Sequence, residues 1–336
     1  MRTIPLFVFF VSILYVFLAA APLVAETEAP VPRQFPYTFS VGASTGFLYG
    51  QGEEIVYKYE NSDVYLSQLL WDLKPLFYVG SALSFSRRDP GEKLGFFGEL
   101  LVKFGIPRQT GSMEDRDWMS IVNNNDLTHF SSHDNYTKGV LLIDFSTGIS
   151  LPLPFKTGPF LKSFIGLSYM RFKWTAQDGY YQYAERTGTG IYEPWDESIE
   201  KTMVYGPAIA YSQEWLIFTL LGYSLDIPLF DFFTLSFSFQ MGPVIFCKAR
   251  DDHLIKGVQY NDYVSGGIML EPRGEVVFSP HQRVLLSLYC GYRRIRGSRG
   301  ESLEIWQSGA EARSEFDSAG AGYAALDTGL SLKVQF

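Results

Sequence analysis

GYAALDTGLSLKVQF, residues 322–336, closes on a strict alternation from Gly329 to its end. Leu326, Leu330, Leu332, Val334 and Phe336 fall on one face, and Asp327, Gly329, Ser331, Lys333 and Gln335 on the other. A period of two with one greasy and one polar side is a β-strand between two unlike media. VLLSLYCGYRR (residues 284–294) repeats the rule: Val284, Leu286, Leu288, Cys290 and Tyr292 oppose Ser287, Tyr289, Gly291 and Arg293. In LEPRGEVVF (270–278) the charges Glu271, Arg273 and Glu275 share one face. Three ionisable groups on one strand face suit a wet, ion-paired lumen better than the dry core of a soluble sandwich.

Composition agrees. Aromatic residues reach 16% while charged residues make up only 19%, against about 25% charge in an ordinary soluble domain. The first 25 residues carry Arg2, an apolar core (IPLFVFFVSILYVFLAA) and small residues ending in APLVA. That is the layout of a secretory signal peptide cut near Ala25, and it outweighs a retained membrane anchor because the apolar core is short. Residues 26–336 then form a single β-barrel domain. Two cysteines, Cys247 and Cys290, are too few for a disulfide scaffold and show no metal-ligand spacing, so no metal is expected. A formal charge of −8 with no basic stripe argues against a nucleic-acid partner.

The alternating stretches predict strands near 37–58, 62–87, 93–118, 135–153, 158–177, 200–226, 231–252, 262–279, 283–298 and 319–336. The fold class is therefore all-β: a ten-stranded antiparallel transmembrane barrel that extends above the outer membrane. RDPGEK, PLPFKTG, DIPLFD and SPHQ are short periplasmic turns; 119–134, 178–199, 253–261 and 299–318 are long outer loops. On that frame two acidic doublets reach the outer rim. Asp115 and Asp117 end the third strand, and Asp251 and His253 end the seventh, facing them across the mouth. One parity conflict arises. Thr234, Ser236, Ser238 and Gln240 point inward, which would turn Asp251 and His253 outward unless Gly242-Pro243 marks a bulge or irregularity.

Over nearly the whole mature chain these residues resemble the omptin family of outer-membrane endopeptidases. The likeness is carried by STGFLYGQGEEIVY, SQLLWDLKP, GSMEDRDWM, LTHFSSHDN, GLSYMRFKWTAQDG, RDDH and GAGY…LSLKVQF. It implies that Asp115 and Asp117 are the family's aspartate pair and that Asp251 and His253 are its Asp–His dyad. It also implies that Glu54, Met113, His129, Ala249 and Ile209 bind substrate. The chemistry is coherent by itself: Asp251 orients the His253 ring, and a water between His253 and the opposite pair gives up a proton while attacking a peptide carbonyl. Two close carboxylates do not ionise independently, and two roles stay open to the pair, binding the oxyanion or holding the water. The competing catalytic reading makes Ser131 and His133 nucleophile and base in a loop; His281 falls on the periplasmic side.

The sequence departs from the family where basic substrates are gripped. Glu54 matches the pocket glutamate, but Ala249 stands where an aspartate is expected, and His129 where the loop after strand 3 carries an acid. Cleavage beside a basic residue is expected, with His129 taking an acidic or neutral residue after the bond. Lipopolysaccharide, or another outer-membrane lipid, is the expected activator rather than a cofactor. Arg171 matches one lipid-binding position, whereas Glu214, Leu167 and Tyr169 replace its neighbours. The expected partners are polypeptide substrates and outer-membrane lipid, and the expected state is a monomer. An inactive omptin-like adhesin working through loops 178–199 and 299–318 is the alternative, and a small porin a third reading.

Overall fold

The computed structural model describes residues 37–59, 63–87, 94–123, 125–154, 158–313 and 317–336. The expected signal peptide lies outside them. The described residues hold no helix and seventeen strands: β1 (Tyr37–Tyr57), β2 (Tyr65–Arg87), β3 (Gly95–Gly105), β4 (Arg108–Asp117), β5 (His129–Pro152), β6 (Phe160–Tyr183), β7 (Arg186–Gly188), β8 (Ile191–Tyr192), β9 (Thr202–Met203), β10 (Pro207–Phe230), β11 (Phe233–Gly242), β12 (Val244–His253), β13 (Val258–Ser265), β14 (Ile268–His281), β15 (Val284–Trp306), β16 (Glu311–Arg313) and β17 (Ala319–Gln335). All pair antiparallel, and the number exceeds the expected ten because breaks divide expected runs and the outer loops add short ribbons. Three expected runs are split: β3 from β4 at Pro107, β11 from β12 at Pro243, and β13 from β14 at Gly266-Gly267. Proline has no N–H to give the ladder, and both glycines take positive φ, 74° and 80°. The short β7, β8, β9 and β16 are ribbons within the outer loops.

Pairing runs in a closed ring. β1 bonds to β2 and to β17, and the circuit continues through β3, β5, β6, β10, β11, β14 and β15 back to β17. Above, β4 stands between β2 and β5, while β12 and β13 stand between β10 and β15. No helix among the described residues is long and apolar enough to cross a membrane; a closed ladder crosses because it leaves no unpaired edge in hydrocarbon. The alternation falls as read. Leu330, Leu332, Val334 and Phe336 are exposed on the outer face, while Ser331, Lys333 and Gln335 line the interior. Phe237 and Phe239 also face out, but Phe233 is buried at its turn.

At Gly242-Pro243 the irregularity is present, but not as a bulge in one strand. Thr234, Ser236, Ser238 and Gln240 line the lumen, then Ile245, Cys247, Ala249 and Asp251 are buried, so inward parity changes from even to odd. The count against β10 does not slip, for Leu221 pairs with Met241 and Phe218 with Val244. The neighbouring run changes face too: Glu271 and Arg273 point in below, Asp262 and Val264 above. So does β15, with Arg293 and Ile295 buried below and Ser298 above. At the level of this change of face, register shifts fall at the borders of the block, between Thr219 and Gly222 against β6 and between Ile295 and Ser298 against β17.

The interior has two storeys. The lower, on the side of the short turns, is a polar cavity of about 610 Å³ where Glu271, Arg273 and Glu275 share a face as expected. Arg293 donates to Glu271 at 2.5 Å and to Asp144 at 2.8 Å, Lys103 meets Asp327 at 2.5 Å, and Lys333 meets Glu99 at 2.6 Å. Above it an aromatic layer crosses the lumen. Trp71 stacks on Tyr211 at 5.0 Å, Tyr211 on Trp174 at 5.8 Å, and Trp174 on Phe172 at 5.3 Å. Such a layer is poorly suited to an open channel.

Arg293→Ala leaves Glu271 and Asp144 facing each other without their cation, and a broken buried pair costs about 3–5 kcal/mol. The folded barrel of this variant is expected to lose heat-resistant gel mobility at a lower temperature than wild type, as measured by a temperature series.

Candidate functional site at the outer mouth

Above the aromatic layer, inward side chains from β1, β2, β4, β10, β12 and β13 converge on one acidic cleft. Asp115 and Asp117 alternate with the outward ion pair Glu114–Arg116 (2.6 Å), so strand parity alone aims the aspartates inward. Their partners on β2 are Leu69 and Ser67, and the Ser67 hydroxyl donates to Asp115 Oδ1 at 3.2 Å. Leu69 also pairs with Glu54 of β1, which brings Glu54 to the level of Asp115. On the facing wall His253 Nε2 lies 2.6 Å from Asp251 Oδ2. Tyr260 holds the ring edge-on at 5.5 Å. With Nε2 on the carboxylate, Nδ1 is the nitrogen left for proton exchange.

Burial dominates the electrostatics. Desolvation pushes Asp115 well above the usual carboxylate range, with the charge of Asp117 adding to it and Lys256 and Ser67 opposing. Asp117 is raised for the same first reason, moderated by Ser67, His129, Lys256 and His253. The influence of His253 on Asp117 means that the two doublets act on each other across the mouth. Glu54, only 3% exposed, is raised by burial and then by the charges of Asp251, Asp262 and Asp115. Its Oε2 and Asp251 Oδ1 are buried without a hydrogen-bond partner.

The other residues expected to bind substrate fall around this cleft. Met113 is fully buried, and Ile209 is buried opposite His253 on β10. Ala249 is fully buried and lies two positions before Asp251. His129 is the first residue of β5 and pairs with Asp117, so it is not in a loop. Its ring sits 4.4 Å from Tyr183 and 5.0 Å from Tyr192, Nδ1 meets the Thr128 hydroxyl at 2.9 Å, and burial lowers its pKa. Ser131 and His133 also lie on β5 rather than in a loop, and His133 Nδ1 is engaged by the Asp178 carbonyl. Arg171 stands apart on the barrel wall, cross-strand from Glu214, whose other neighbour is Lys248. His281 closes β14 at the opposite end.

Sequence reasoning passed over Ser67, Tyr183, Tyr192, Lys256, Tyr260 and Asp262. Asp262 gave no clear signal along the chain, for Tyr260 and Val264 share its face of YNDYV and make it no more polar than the other.

A closed, lipid-facing barrel whose outer mouth gathers five carboxylates and a histidine is a membrane protein with a built site, and comparison with known proteins gives its family. The model of the omptin family matches residues 35–336, and the chain belongs to that family. A plasminogen activator of Yersinia pestis is 30% identical over 179 residues, a stretch covering 49% of this chain and 51% of that protein, so the match spans about half the length of the relative. The crystal structure of the outer membrane protease OmpT from Escherichia coli shares the fold, with a TM-score of 0.76 at 19% identity over 90% of this chain and 97% of that one. The barrel therefore sits in the outer membrane with this mouth toward the cell exterior.

Because the charge of Asp117 helps raise the pKa of Asp115, Asp117→Asn is expected to lower it. Infrared difference spectra of the protonated carboxyl stretch, followed against pH, should show that band vanish at lower pH than in wild type.

Proposed function

We propose that this omptin is an outer-membrane endopeptidase. In this reading a water held between His253 and the aspartate pair attacks the carbonyl carbon of a peptide bond. The water proton passes to His253 Nδ1 as the new C–O bond forms. It is then delivered to the leaving amine as the C–N bond breaks. Asp251 orients the ring through Nε2 and stabilises the imidazolium. Asp115 and Asp117 share a proton, and the protonated member donates to the developing oxyanion while the ionised one steadies the water. The observation that carries the reading is the meeting of the 2.6 Å Asp251–His253 contact with a desolvated aspartate pair on the facing wall. A solvated group of rim charges would not need either feature.

Substrates in this reading are polypeptides, cut beside a basic residue that Glu54 helps to hold, with Met113, Ile209 and Ala249 shaping the cleft. His129, walled by Tyr183 and Tyr192, receives the residue after the scissile bond. A half-buried imidazole among tyrosines, its pKa lowered by burial, offers no countercharge of its own to a second cation. Arg171 and Lys248 on the outer wall would meet the phosphates of an outer-membrane lipid such as lipopolysaccharide, as an activator of a monomer.

His253→Ala is expected to reduce cleavage of a quenched arginine-containing peptide about 10²–10⁴-fold, the usual contribution of a general base. The measurement is turnover by the refolded mature chain, with and without lipopolysaccharide. A folded wild-type barrel inactive in both conditions would shift the function to an adhesin built on the outer loops. In a peptide set varied after arginine, acidic or neutral residues should be cleaved at least as well as arginine; an undiminished Arg-Arg preference would overturn the role given to His129.

A further inference from the structure

Ala249 removes the carboxylate expected on β12, yet the cleft has not lost it. Asp262 of β13 is the direct cross-strand partner of Ala249 and is 4% exposed. It lies close enough to Glu54 for its charge to be felt there. The like charges of Asp251, Asp262 and Asp115 bear on Glu54, and Glu54 Oε2 is buried without a hydrogen-bond partner among the described residues. Three of these acids are held on separate strands by register: Glu54 on β1, and Asp262 and Asp251 on the neighbouring β13 and β12. Burying carboxylates together costs free energy that a cation between them would offset.

We infer that Asp262, with Glu54, forms the carboxylate pair that grips the basic side chain of the substrate, taking over from β13 the place that Ala249 vacates on β12. The inference rests on the endopeptidase reading only in naming the occupant as a substrate residue. The cation site itself is defined by the side chains. Burial, opposed by a hydrogen bond from Ser302 and reinforced by the charge of Asp251, holds the Asp262 carboxyl at about 7. The pair is thus poised to ionise as a guanidinium or ammonium enters. A citrulline side chain has the same shape without charge and would not draw that proton off.

The test is calorimetric titration of the refolded, detergent-solubilised chain with acetyl-arginine amide and with its citrulline counterpart. Heat-modifiable gel mobility serves as the folding control for each protein. Asp262→Asn is expected to weaken arginine binding about ten- to hundredfold, the loss of one charge-assisted hydrogen bond, and to leave citrulline binding unchanged. Asp262→Asn combined with Ala249→Asp should recover most of the arginine affinity, which a purely structural role for Asp262 would not predict. In cleavage assays the same loss should fall on KM rather than kcat. Unchanged arginine binding in Asp262→Asn, or no arginine binding by folded wild type, would overturn the assignment. A barrel that cleaves peptides without binding arginine amide would leave the endopeptidase reading standing and sink this one; arginine binding without turnover would do the reverse.

Discussion

The seam between β1 and β17 is the contact on which the rest of the structure depends. Inside hydrocarbon an unpaired peptide group costs several kcal/mol, roughly, because no water replaces its partner. The ladder must therefore close on itself. It does so here without a slip, from Ser40 opposite Gln335 to Val56 opposite Ala319. Because side chains alternate with period two, that register also decides what the mouth contains. A shift of one residue along the seam would turn Glu54 from the cleft to the outer wall. The same ladder that seals the barrel against lipid thus delivers Glu54 to a cleft where the charges of Asp251, Asp262 and Asp115 reach it.

The two storeys treat charge in opposite ways. Below the aromatic layer buried acids meet cations: Asp327 has Lys103, Glu271 and Asp144 have Arg293, and Asp226 has Lys162 at 2.6 Å. Above the layer Glu54 meets the like charges of Asp251, Asp262 and Asp115, Asp262 meets that of Asp251, and the opposing groups near Asp115 are Lys256 and a serine hydroxyl. The rings of Trp71, Trp174 and Tyr211 make the difference sharper by providing the cleft with a dry floor. Stability would favour pairing the upper acids as the lower ones are paired. That they are left to repel one another is the pattern expected where a site is built for something that arrives from outside.

Periodicity made most of the barrel legible. The C-terminal strand, the Glu271-Arg273-Glu275 face and the exposed Phe237 and Phe239 all follow from counting by two. Proline and glycine breaks at Pro107, Pro243 and Gly266-Gly267 were harder, since each interrupts hydrogen bonding without ending the alternation that a reader counts. The start of β5 was missed because LTHFSSHDN is polar enough to pass for a loop; its residues are ordered by pairing with β4, a partner that composition does not reveal. The same blindness hid Asp262. A doublet two positions apart is visible along the chain, whereas the relation of Asp262 to Ala249 exists only across strands.

The parity reversal explains how one chain can keep both storeys correctly faced. Strand β11 points its even positions inward, and Asp251 and His253 are odd. A bulge in that strand alone would have turned them inward but slipped its register against both neighbours, dragging Ile209 and Tyr260 out of line with His253 and Asp251. Instead β10, the β11–β12 run, the β13–β14 run and β15 change face at one level, so within the block each residue keeps its partner. The compensating slips are displaced to the outer edges of the block, beside β6 and β17. Glycines lie at or beside those edges, at Gly166, Gly222 and Gly297; at Gly222 an added Cβ would sit 2.2 Å from the Phe164 ring. The irregularity is thereby kept clear of Ile209, Asp251, His253, Tyr260 and Asp262, whose cross-strand contacts the cleft needs intact.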